Sequence, residues 1–232
     1  MTQAIQKSKG TKLYLALLPV GVRAKPTDQT LTTSGASNAA IPKAATSIPL
    51  ETALLGLIPK GQWLLFKDAD GVERLAQLSA DAVVGATALT VFPLPEAIAD
   101  AAVAEFPVRI QARSGASVAR SANLQSSITF DSGSEHDGTT TSRERGLSAA
   151  GNYLYYDAGL RTAEYAYEND QEVWVRRVLP PPSDAYSAGK VTEGPAAITS
   201  IPDEVPADGF VSQSLEVAYL GYCSEVQPKP KP

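Results

Sequence analysis

The one histidine of this chain, His136, stands in the run Asp131, Ser132, Gly133, Ser134, Glu135, His136, Asp137, Gly138, beside the serines and carboxylates from which hydrolytic sites are built. A nucleophilic triad needs three side chains converging from a rigid scaffold. Neighbours in a glycine-containing loop do not converge in that way, so the run reads as a solvated polar loop. Asp131, Glu135 and Asp137 are also hard oxygen ligands of the kind calcium prefers, but their spacing is not that of an EF-hand. Asp68 and Asp70 raise the same question, and there the following Gly71 explains them as a hairpin turn. Cys223 is the only cysteine, which excludes an internal disulfide and a cysteine-built zinc cluster, and it reads as a small apolar residue near a strand end. No Walker loop or dinucleotide fingerprint is present; Gly115 lacks the glycines that would have to follow it. No carboxylate pair is singled out for glycoside hydrolysis. The expectation is a protein with no catalytic residue, no cofactor and no metal.

Two groups have the chemistry of contact rather than of catalysis. Arg143, Glu144 and Arg145 form a charge cluster that reads either as a solvated strand or as an ion pair between subunits. Tyr153, Tyr155, Tyr156, Tyr165 and Tyr167 place five tyrosines within fifteen residues, more than one small core absorbs. Tyrosine suits a boundary where one end is buried and the other meets polar groups. Arg143, Glu144, Arg145, Tyr153, Tyr155 and Tyr156 are therefore the candidate inter-subunit contacts.

The bulk numbers agree with a structural role. The chain has 232 residues, 44% hydrophobic and 19% charged, with a formal net charge of −5. That composition buries a core and excludes a charged disordered chain. The acidic balance lacks the cationic surplus with which proteins grip phosphates. There is no run of 18 apolar residues, and the apolar stretch 13–22 ends at Arg23 without a signal-peptide cleavage pattern, so the chain is expected to fold and work without export.

The elements that must position these residues are mostly strands. Residues 13–18 read as a buried strand stopped by Pro19, and 23–45 as an extended linker. Short strands follow at 46–50, 62–67, 72–78 and 88–92, with a short alanine-rich helix at 96–104. Residues 108–113 and 126–130 read as strands, and 139–145 as a strand or extended arm. The strongest helix pattern covers 147–169, where Leu147, Gly151, Leu154 and Ala158 recur at helical spacing, with an interruption at Gly159. Residues 172–179 are apolar on both faces, as a central or covered strand is, until Pro180, Pro181 and Pro182 stop it. Residues 211–219 alternate cleanly. No repeat of fixed period is apparent.

The order of these elements in the second half, closing through Pro206, Ala207, Asp208, Gly209, Phe210 and Val211 into an alternating strand with Gly221 near its end, resembles the tail tube proteins of long-tailed bacteriophages. The resemblance covers about 30 residues at the N-terminus and 109–227. It implies a mainly β fold: an antiparallel β-sandwich or half-barrel with one flanking helical segment. The tube-like domain would be discontinuous, 1–43 with 108–227, interrupted by an inserted β-rich module at 44–107 and followed by a flexible proline- and lysine-rich tail at 228–232. The resemblance further implies hexameric rings that stack around a lumen through which viral DNA passes without specific binding. The implied partners are other copies of the chain, the tape measure, baseplate and terminator proteins, and a sheath if the tail contracts. The implied location is the virion tail, assembled in the host cytoplasm, with no membrane involved. The alternative from another class is a capsid or tail decoration or adhesion module, in which 45–107 would be the working part. A polysaccharide hydrolase would require two close carboxylates in a pocket.

Overall fold

The computed structural model describes residues 10–111, 113–127, 137–204, 211–221 and 223–230. The chain opens with β1 (Lys12–Leu17) and continues through six short strands: β2 (Gln29–Thr32), β3 (Ser47–Pro49), β4 (Trp63–Lys67), β5 (Glu73–Gln77), β6 (Ala88–Thr90) and β7 (Val103–Phe106). Then come β8 (Val108–Ile110), two long strands β9 (Arg113–Ser127) and β10 (Asp137–Asn152), and the helix α1 (Ala158–Glu168). The chain ends with β11 (Val173–Val178), β12 (Tyr186–Ala188), β13 (Val191–Ser200), β14 (Asp203–Glu204), β15 (Ser212–Tyr219), β16 (Ser224–Val226) and β17 (Lys229–Pro230).

The large antiparallel sheet runs β8-β1-β11-β13-β15-β10-β9, with β14 on β15 and β16 on β13. Alternation sets its faces. Leu13, Leu15 and Leu17 of β1, Val173 and Val175 of β11, Leu215 and Val217 of β15, and Leu147 and Ala149 of β10 all enter one core with Ala163 and Ala166 of the helix. The sheet must fold over to bring them together. Four strand intervals separate β11 from β9, about 19 Å in a flat sheet. Yet Arg177 of β11 donates from Nη1 to the carbonyl of Ala116 on β9 at 3.4 Å. The result is the expected sandwich or half-barrel, mainly β with a flanking helix.

The helix is shorter than its sequence pattern. Residues 147–152 are strand, because Leu147 and Ala149 also fit a period of two and there pair opposite Val217 and Leu215. Gly159 does not break the helix. A Cβ there would come within 2.7 Å of Ile110 Cγ1 and 2.9 Å of its backbone, so glycine admits α1 against β8. The alanine-rich stretch 96–104 is not helical; Ala102 and Ala104 are buried, and β7 begins at Val103. Nor is 23–45 a free linker. Arg23 pairs with Glu172, Lys25 with Glu193 at 2.8 Å and Asp28 with Arg176 at 2.8 Å, and β2 follows directly.

Strands β2 to β7 hold a repeat that spacing alone conceals. The sheet order β2-β7-β4-β5 is a palindrome under exchange of β2 with β5 and β4 with β7. Strand β3 pairs with β6 symmetrically, Ser47 opposite Thr90, Ile48 opposite Leu89 and Pro49 opposite Ala88. The backbone bonds recur in pairs: Leu50 N to Thr87 O with Val91 N to Thr46 O, and Leu54 N to Ala86 O with Leu94 N to Ala45 O. Positive φ falls at Ala44 and Gly85, and again at Gly61 and Ala101. Phe66 and Phe106 fill equivalent core places. Two copies of a three-strand unit are thus related by an approximate twofold axis, with a one-residue shift between the offsets of its first and second halves.

Candidate assembly surfaces

The large sheet ends on two edges, β8 and β9, and among the described residues β9 pairs only with β10. Strand β9 is 15 residues long. Only 146–152 of β10 pair with β15, so the rest of the β9–β10 hairpin leaves the sheet as a two-stranded ribbon. Eight residues of ribbon reach about 25 Å. An edge of that length is a template for another chain.

One face of the β9–β10–β15 half is built of small side chains. Ser117 and Ala119, Ser148, Ser214 and Ala218, and Ala197 and Ser200 on the adjoining β13 share it, together with Glu144 and Glu216. Among the described residues it carries no lysine or arginine. The same face of the β1–β11 half carries Ala16 and Trp174, which pack into the core of the β2–β7 module. Because the sheet folds over, the bare half and the module-bearing half lie on opposite outsides of the sandwich.

Two buried polar knots hold these parts. Asp157 is fully buried and caps the helix, its Oδ1 accepting from Leu160 N at 3.0 Å and its Oδ2 from Gln111 N at 2.9 Å. Burial pushes its carboxyl up to about 6, against the opposing pull of the backbone donors and Arg113. Arg113 lies 3.9 Å from Asp157 and donates to the carbonyls of Gln213, at 2.7 Å, and Asn152, at 3.3 Å. The start of β9, the end of β10 and the start of β15 therefore meet at the helix N-terminus. The second knot is Gln62, also fully buried. It accepts from Leu17 N at 2.9 Å and donates to Thr162 Oγ1 at 3.0 Å, joining module, sheet and helix. Beside it Gly61 takes φ +88, and a Cβ there would meet the Tyr165 ring at 2.0 Å.

A family model described as phage tail tube protein matches residues 99–224, more than half of the chain. The chain belongs to the phage tail tube protein family. The match covers the long hairpin, the helix and most of the folded-over sheet, so the chain is a structural subunit of a phage tail tube. No curated protein matches it. Among solved structures, the chain is similar to the tail of an empty gene transfer agent particle with C6 symmetry, at 21% identity over 50% of this chain and 84% of that one, TM-score 0.42. It is similar to a chain in the virion of the native gene transfer agent, at 20% identity over 50% and 86%, TM-score 0.42. It is also similar to a chain in the sixfold-symmetrised anti-feeding prophage baseplate, at 11% identity over 53% and 84%, TM-score 0.42.

In this tail tube subunit the contact candidates separate into two groups. Tyr153, Tyr155 and Tyr156 sit in the loop before α1, not on the helix. Tyr155 and Tyr156 meet edge to face at 5.1 Å, and Arg161 stacks on Tyr155 at 5.2 Å and on Tyr153 at 5.9 Å. With Trp63, Phe92 and the Arg74–Glu96 pair of the module, Tyr155 and Tyr156 line a groove of about 400 Å³. Arg143, Glu144 and Arg145 lie on β10 far from that groove, and the Arg143 side chain is outside the described residues. Arg145 reaches Glu225 at 3.5 Å. Asp131, Glu135 and His136 are outside the described residues, and of Asp137 only the strand position is described. Asp68 Oδ1 accepts from Val72 N at 2.8 Å inside the β4–β5 turn, where Gly71 has φ +82. Cys223 is buried, and burial pushes its thiol up. Sequence reasoning passed over Asp157, Arg113 and Gln62. An aspartate three residues before a helical leucine was the only visible sign of the first.

Proposed function

We propose that six copies of this tail tube subunit, the symmetry of the gene transfer agent tail, close into a ring and that rings stack into a hollow tube through which viral DNA passes. The observation that carries the proposal is the pair of unsatisfied edges on the sheet that the family match spans. An antiparallel sheet with a fifteen-residue free edge is finished by the sheet of a neighbour, and a closed ring of sheets leaves no edge. The ribbon of β9 and β10 extends past the ring to the next one. The small-residue face lines the lumen. With Glu144 and Glu216 as its charges, it offers the phosphate backbone nothing to hold. The Tyr153, Tyr155 and Tyr156 loop contributes to contacts between subunits.

The β2–β7 module is an insertion carried on the outside of the tube, on the half of the sandwich opposite the lumen face. The subunit performs no catalysis. Its further partners are the tape measure, baseplate and terminator proteins, with a sheath in a contractile tail, and it is assembled in the host cytoplasm before joining the virion. Negative-stain electron microscopy of the purified chain over a concentration series tests this. Rings or tubes with a central channel are expected; discrete particles without a channel at every concentration would sink it.

A further inference from the structure

Where the ribbon leaves the sheet, four cations gather at one end of the sandwich. Arg120 of β9, Arg145 of β10 and Lys190 before β13 all pair with Glu225 of β16, Lys190 at 2.9 Å and Arg145 at 3.5 Å. Arg177 lies beside them. It shares the core face with Thr192, which pairs with Glu225, and burial pulls its guanidinium down, with Arg120 adding to that repulsion. Glu225 is the one carboxylate that these cations share. Hydrogen bonding shows the same imbalance. Arg177 Nε and Tyr219 OH are buried donors with no partner, and Tyr219 is only 9% exposed. Cys223 contributes no charge, since burial holds its thiol up. The carbonyls of Cys223 and Ala116 accept from Arg145 and Arg177, each at 3.4 Å, and still Arg177 Nε and Tyr219 OH go unanswered. Leaving such groups unanswered is costly, and one further carboxylate oxygen pair would satisfy several of them together.

We propose that Arg120, Arg145, Arg177 and Tyr219 form a socket for a carboxylate presented by a second copy of this chain. This rests on the tube reading given above. Three features favour a second copy as the source. Arg120 stands on the free edge, where a neighbouring chain is expected. The socket sits at the root of the ribbon that reaches away from the ring. The chain's net charge of −5 supplies carboxylates in excess. Contacts of this kind set register and partner choice as much as affinity.

The full-length double variant Arg120→Gln/Arg145→Gln tests it, because Lys190 still pairs with Glu225 in that protein. The expected result is a critical concentration for tube formation about tenfold above wild type, with the thermal unfolding midpoint of the unassembled subunit little changed. The charge-keeping pair Arg120→Lys/Arg145→Lys is expected to recover most of that loss. A control pair on the module, Lys43→Gln/Lys60→Gln, is expected to assemble like wild type. Tubes from the glutamine pair at the wild-type concentration and with the wild-type salt dependence would overturn the socket alone. Equal loss in folded glutamine and lysine pairs would also overturn it, since charge would not be what matters. A wild-type chain that stays monomeric at every concentration would instead overturn the tube reading, and the socket with it.

Discussion

The module of strands β2 to β7 and the large sheet differ in how much edge they leave. In the module each strand of one repeat is answered by a strand of the other: β2 by β7, β3 by β6, β4 by β5. The internal twofold keeps the edges of this small unit short. The large sheet has longer strands and a continuous core, yet it stops at β8 and β9 with nothing beyond them among the described residues. The module's sheet ends on the short strands β2 and β5, of four and five residues, whereas the large sheet ends on the fifteen-residue β9. The difference teaches that burial and strand pairing are separate requirements. A well-packed core does not make a sheet complete.

The largest effects test the internal symmetry. Phe66→Ala and Phe106→Ala each remove a buried ring at equivalent places and should each cost about 3–5 kcal/mol, read by thermal or denaturant unfolding. Unequal costs would break the equivalence of the repeats. Next comes the joint between the two regions. Gly61→Ala forces a Cβ into the Tyr165 ring at a positive φ, and should cost about 1–3 kcal/mol in the same measurement; an alanine tolerated without loss would separate module from helix. Asp157→Ala removes the cap where three strands meet and should cost about 1–2 kcal/mol.

Asp157 also gives a pH dependence whose sign follows from its carboxyl, held at about 6 against 3.8 as a reference. The folded state takes up the proton more readily than the unfolded chain. The contribution of this group to folding is therefore fully present below pH 3.8 and lost as pH rises through about 6. The stability of wild type relative to Asp157→Asn should move toward the wild type between pH 7.5 and pH 4.5, by about 1–2 kcal/mol; a flat or opposite trend would contradict it. The smallest effect on stability belongs to the bare face. Ser117→Arg should shift unfolding by no more than about 0.5 kcal/mol while making assembled tubes retain a short DNA duplex at low salt. Tubes that bind no more DNA than wild type would place that face away from the lumen.

Much of the fold was legible in local pattern. Strand β15 alternates strictly and is half-buried, β11 is apolar on both faces and sits inside the sheet, and Asp68 and Gly71 make the turn their types require. What escaped was set by distant partners. Leu147 and Gly151 fit both a helix and a strand, and only Val217 and Gln213, far along the chain, decide between them. The repeat escaped because its halves diverge where one of them docks: Gly61, Gln62 and Trp63 face the helix region, while Ala101, Ala102 and Val103 hold the matching places without that duty. The tyrosine loop and the Arg145 strand were visible as concentrations of contact chemistry. The socket beside Glu225 was not, because its four members come from four separate strands.

Leu15 of β1 lies opposite Val108 of β8, so the strands flanking the module are already neighbours. Gln29 likewise lies opposite Phe106, and the module opens and closes at one point. From the side of the sheet, everything between Leu17 and Val108 is a single hairpin connection, however long. The register of β1 on β8 is carried by their own pairing, while Ala16, Trp174 and the Gln62 bond to Leu17 N dock the module on the sheet. On the proposed arrangement, with the module outside the tube, a viral lineage could refit the exterior of its tail by exchanging one cassette, and a foreign domain that answers Ala16, Trp174 and Leu17 N could be grafted for display at the same junction.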